Sequence, residues 1–158
     1  MKPNLRDVID AFYRTPPLPE EETRLPLLTL WPQGSDPITF SVPLFNSPLE
    51  NAAAIVYLAI KEGVKLDAVM FVSEMWSAPP DESGLPPSLR REAGDPAVVT
   101  AVSADYYDAE GRLSEFAMES RDDDGTTRLV FPGLDAPSVA VSDQAATFRL
   151  LAEMAVMP

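Results

Sequence analysis

The 158-residue chain has no histidine and no cysteine. The first absence removes the side chain that most often serves as a general base near neutral pH, and with it Ser-His-Asp machinery and imidazole-ligated metals. The second removes disulfides, thiolate nucleophiles and iron–sulfur ligation, and leaves the redox compartment open. Any catalysis would have to rest on carboxylates, tyrosine, serine, threonine, lysine or arginine. Lysine is itself scarce, at three residues, and the chain sets 12 basic against 25 acidic residues for a net charge of −13. Recognition of phosphate backbones depends on basic clusters, so direct nucleic-acid binding is not expected. The seven glycines stand singly. They punctuate turns and build no phosphate loop or dinucleotide fingerprint, and no zinc motif is present. No cofactor and no metal is expected. No apolar run reaches the roughly 20 residues of a membrane span. The opening MKPNLRDVID lacks the apolar core of a signal peptide, which makes a cytoplasmic location the expectation.

What is present is a folded chain: 46% of the residues are hydrophobic, and the length suits one domain. The segment SPLENAAAIVYLAIKEGVKLDAVMFVSEMWS, from Ser47 to Ser77, organises the rest. Ser47, Pro48 and Glu50 form a capping box with proline at the first helical position. Gly63 supplies a left-handed stop. The predicted helix Pro48–Glu62 is apolar on every side from Ala52 to Ile60, which predicts that it is covered on two sides. After Gly63 the period becomes two. From Ala68 to Val72 both alternating sets are apolar, the pattern of a strand buried on both faces, so Leu66–Trp76 is predicted to be central.

Around it, Asn4 caps an amphipathic first helix through Leu5, Val8, Ile9 and Phe12. A proline- and glutamate-rich connector covers 15–26. Strands are predicted at Leu25–Trp31 and Ile38–Leu44, with Pro43 marking an edge or an end. The second of these, the helix from Pro48 and the strand from Leu66 could form a βαβ crossover with parallel strands. An irregular stretch fills 77–96, with a short helical piece from Pro87 to Ala93. Strands Ala97–Tyr107, Arg112–Ser120 and Thr126–Phe131 read as a meander, and Ser142 caps a last helix from Asp143 to about Met157. The fold class is therefore α+β: a mixed, mostly antiparallel sheet of five to six strands, with helices packed mainly on one face and the terminal helices covering the one from Pro48.

Four groups are candidates for function. Glu74 and Trp76 stand where the buried strand emerges, beside the loop that holds Arg90 and Arg91. Together they suit ligand binding or acid–base work with 77–96 as a lid, or a structural ion pair that pins the loop. Glu115 and Glu119 share a strand face and, with Asp105 or Tyr107 opposite, could build an acidic partner-binding patch or a solvated face. Asp122-Asp123-Asp124-Gly125 lacks calcium-loop spacing and reads as a turn. Tyr106-Tyr107 alternate in direction, so at most one is expected in the core. The leading expectation is a non-enzymatic protein-interaction module, a regulator or inhibitor of the kind encoded by bacteria and their mobile elements, acting through an acidic surface. Its sharp version is a DNA mimic. The alternatives are a ligand binder or carboxylate enzyme centred on Glu74, and a subunit that assembles with copies of itself.

Overall fold

The doubly apolar stretch after Gly63 becomes a long strand with neighbours on both sides. The computed structural model describes residues 2–17, 23–45, 47–79, 81–131 and 143–158. In chain order the elements are α1 (Leu5–Arg14), β1 (Leu27–Pro32), β2 (Ile38–Ser41), α2 (Pro48–Lys61), β3 (Leu66–Ser77), α3 (Pro87–Glu92), β4 (Val99–Asp108), β5 (Gly111–Arg121), β6 (Thr127–Val130) and α4 (Asp143–Ala155). The strands make one six-stranded sheet in the order β2-β1-β3-β4-β5-β6, with β3 inside it. This is the expected α+β class. The Ser142 cap and the middle of the 15–26 connector lie outside the described residues.

Every hydrogen-bonded strand pair is antiparallel. The parallel relation expected of β2 and β3 survives in a different form. Both are antiparallel to β1, which lies between them, so they run the same way without pairing while α2 carries the chain across. At one end of β3 the ladder slips. Trp31 faces Ala68 but Pro32 faces Leu66, which leaves Asp67 as the extra residue of a β-bulge. A bulge of this kind bends the strand locally and re-aims a side chain.

The local signals act as read. The Asn4 side chain accepts from the amides of Arg6 and Asp7, and Ser47 accepts from the Glu50 amide. Gly63 ends α2 at φ +73° and Gly125 closes the acidic turn at φ +86°, a left-handed conformation that costs a residue with a side chain more. In that turn Asp122 accepts from the Gly125 amide at 3.0 Å and donates to the Thr126 carbonyl at 2.8 Å.

The two faces of β3 are covered by different helices. Val69 and Phe71 join Leu28, Leu30 and Tyr107 beneath α2 and α4, where Val56, Phe148 and Ala152 complete the core. Ala68, Met70 and Val72 join Val102, Ala104, Tyr106 and Ala117 beneath α1, through Leu5, Ile9 and Phe12. Burying each such side chain fully contributes about 1.5–3 kcal/mol, so neither face can be left wet. Two expectations are corrected by this arrangement. Among the described residues α4, and not α1, lies beside α2, and Tyr57 and Leu58 are exposed on the outer side of α2. Tyr106 and Tyr107 are both buried, one in each core, because the sheet has a cover on both faces.

Candidate functional site

Each end of β3 brings a carboxylate close to a tryptophan, and the two ends differ in what surrounds them. At the far end, the Glu74 side chain is only 5% exposed. An acid so buried needs a charge or several donors. Arg24 supplies both: its backbone N–H donates to Glu74 Oε1 at 2.6 Å and its Nη1 to Oε2 at 2.8 Å. The rest of the guanidinium donates to the carbonyls of Thr15 at 2.6 Å and Tyr13 at 2.7 Å, and it lies over the Tyr13 ring. Arg24 therefore staples the end of α1 and the approach to β1 onto β3.

This corrects the grouping of Glu74 with Arg90 and Arg91. Arg90 is buried in its own loop, where Nε donates to Asp95 at 2.8 Å and pairs with Asp81 at 3.2 Å, and Nη1 donates to the Pro79 carbonyl at 2.6 Å. The Ala97 amide first, and then Arg90, hold the Asp95 carboxyl below the usual carboxylate range. Arg91 stacks on Trp76, its guanidinium carbon 3.9 Å from the ring centre. So Trp76 and Arg91 meet, Glu74 belongs to another cation, and the 77–96 segment is held by Arg90 and by the Arg91–Trp76 stack. A cleft of about 280 Å³ remains here, lined by Thr23, Glu74, Met75, Trp76, Pro87 and Ser88.

Glu115 and Glu119 lie on the face away from α2, and α1 packs over that face. Arg6 Nε donates to Glu115 at 3.1 Å and the Tyr13 hydroxyl donates to Glu119 at 2.6 Å. Neither Asp105 nor Tyr107 stands opposite them. Glu115 faces Ala104, and Asp105 points to the other side of the sheet, where Arg112 donates to it at 2.7 Å and Ser114 is also bonded to it. The acidic patch expected at these two positions is instead a polar seam between α1 and β5.

At the near end of β3 the charges are arranged differently. Trp31, Pro32, Gly34, Ser35, Asp36 and Asp67 line an open depression of about 600 Å³. The bulge places Asp67 there, and the tight β1–β2 turn, pinned where Gln33 N–H donates to the Lys65 carbonyl at 2.9 Å, places Asp36. Trp31 stands edge-on to Tyr106 at 5.8 Å. Antiparallel pairing brings the β4–β5 turn to the same end, with Asp108 and Glu110 bridged by Lys2. The field of this end is legible on Tyr106, whose phenol is pushed up to about 12. Burial is the first cause, followed by Asp108, Glu110 and Asp67. Among the described residues, neither Asp36 nor Asp67 forms an ion pair.

Sequence reasoning did not single out Arg24, Asp36 or Asp67. Arg24 is the lone cation after three glutamates in the connector, a weak signal. Asp67 stands just before the doubly apolar run of β3, and its placement depends on a register slip that no local pattern announces. Among the described residues no group of three or more acidic side chains is placed to hold a metal ion, and no helix is long and apolar enough to cross a membrane. The chain matches no protein-family model, no curated protein and no solved structure.

Proposed function

We propose that this protein is a non-enzymatic interaction module that holds a basic segment of another protein against the acidic end of its sheet, in a cytoplasmic setting. The observation that carries this reading is the depression beside Trp31, where the bulged Asp67 and the turn residue Asp36 present carboxylates that form no ion pair among the described residues. Elsewhere the carboxylates singled out for chemistry are committed: Glu74 to Arg24, Glu115 to Arg6 and Glu119 to Tyr13. A lysine or arginine entering the depression meets two acids and an aromatic ring. The ring contributes about 0.5–1 kcal/mol at an exposed site, and each exposed ion pair about 0–1 kcal/mol. Such a surface sets approach rate and partner choice more than it sets tightness, and its binding weakens with salt.

A second reading rests on the cleft of about 280 Å³ beside Trp76, which is large enough for a small apolar ligand. There the bound Glu74 acts as a fixed wall, and binding raises the melting temperature without any turnover.

The test of the first reading is capture of partners from the source lysate by the tagged protein and by its Asp36→Asn/Asp67→Asn variant, at low and high salt. One dominant partner, released by salt and depleted with the variant, is the expected result. A partner that the variant retains in full overturns it.

A further inference from the structure

We propose that the chain pairs with a second copy of itself through the outer surface of the α2–α4 layer. This surface uses other residues than the acidic end and does not depend on the function proposed for it. α2 and α4 lie together on one face of the sheet, with Ala52, Val56, Phe148 and Ala152 turned into the core. Their outer sides, where a solvated helix carries its polar residues, are apolar. Tyr57 is 52% exposed and Leu58 53% on α2; Leu150 is 58% exposed and Met154 49% on α4, with Met157 just beyond its end at 65%. Positions 150, 154 and 157 fall one helical turn apart, so they form a stripe rather than a scatter. Summed over these two neighbouring helices, the five half-exposed large side chains leave apolar surface on the order of 500 Å², at the upper end of what monomers leave to water.

Charge selects the occupant. α2 and α4 together hold three acidic residues (Glu50, Asp143, Glu153) against two basic ones (Lys61, Arg149), a net of −1, within a chain of −13. Arg149 and Glu153 already neutralise one another at 2.9 Å. A basic partner finds little to attract it here. A second copy is opposed by the chain's overall charge of −13, and a layer of net −1 opposes it far less than that total implies. Two patches meeting about a two-fold axis bury roughly 1,000 Å² in all, near the lower bound for a specific interface, which corresponds to a weak dimer.

Salt separates this association from the acidic-end contact, because screening the repulsion between two strongly negative copies tightens the dimer. The experiment is sedimentation equilibrium over about 5–500 µM, a range suited to a weak interface, at low and at high salt. The wild-type chain is expected to dimerise, several-fold more tightly at high salt. Leu58→Gln/Leu150→Gln, at two exposed positions where the fold does not need the side chains, is expected to weaken the dimer at least tenfold with an unchanged circular dichroism spectrum. Lys61→Glu, which adds a like charge to both patches, is expected to weaken it at low salt and to be partly rescued by high salt. Asp36→Asn/Asp67→Asn should leave the dimer in place, so the two proposals fail separately. A chain monomeric at the highest concentration and high salt, or a dimer indifferent to the Leu58 and Leu150 substitutions, overturns the proposal.

Discussion

The two ends of β3 use one set of ingredients, a carboxylate close to a tryptophan, and reach opposite states. At the far end Glu74 is buried, and a buried carboxylate is tolerated only when a cation comes with it; Arg24 is committed to that role. Trp76 likewise lies beneath Arg91. At the near end Asp36 and Asp67 are exposed, water solvates them, and no internal cation is required. Trp31 is in contact with Tyr106 rather than with an arginine. Residue type therefore does not separate the structural site from the proposed binding site. Burial does, because burial decides whether the charge is neutralised within the molecule or left for a partner.

The strongest way to break the comparison is to remove the internal cation. Arg24→Met leaves Glu74 buried without its partner, and a loss of about 3–5 kcal/mol is expected in urea unfolding. A loss below about 1 kcal/mol would mean that the far end is no more committed than an exposed ion pair.

The next test reads the field at the near end. The phenols of Tyr106 and Tyr107 are both raised from 10 to about 12, first by burial, with Asp108 the next cause for Tyr106 and Asp105 for Tyr107. A phenol whose folded value lies above its unfolded one holds its proton longer in the folded state. The resulting stability is complete below pH 10 and is lost as pH rises toward 12. Each unit of separation corresponds to about 1.4 kcal/mol, so unfolding should grow steeply easier across that window and less steeply in Tyr106→Phe. Ultraviolet titration of Asp67→Asn/Asp108→Asn should bring Tyr106 part of the way down and leave Tyr107 in place. If Tyr106 does not move, the near end lacks the negative field assigned to it.

The smallest effect sharpens the comparison at the tryptophans. Arg91→Ala removes the cation above Trp76 and is expected to cost about 0.5–1 kcal/mol. In a Trp31→Phe background Trp76 is the one tryptophan left, and its selectively excited fluorescence should shift when Arg91 is lost. Unchanged emission would dissociate the 77–96 segment from the sheet.

Much of the architecture was legible from short-range pattern. Asn4 and Ser47 cap helices because a side-chain oxygen one turn away from an orphan amide can act only locally. Gly63 and Gly125 sit where the backbone takes positive φ. The alternation from Ala68 to Val72 announced a strand covered on both faces, and it also held an unused signal. A second cover was needed, and the amphipathic helix of Leu5, Ile9 and Phe12 was there to provide it. Reading that requirement through would have placed α1 opposite α2 and both tyrosines in cores.

The sequence by itself determined the caps, the turns, the periods and therefore the α+β class with a central β3, since each depends on residues within a turn or a strand of one another. It also determined the exclusions that follow from the missing histidine and cysteine. Only the tertiary structure decided that Glu74 belongs to Arg24, fifty positions earlier, and that Glu115 and Glu119 belong to α1. It alone placed Asp67 in a bulge beside Trp31 and Asp36. The reason is that ion pairing and register depend on which surfaces come together. That choice is made by the burial of two whole sheet faces, and no local spacing encodes it.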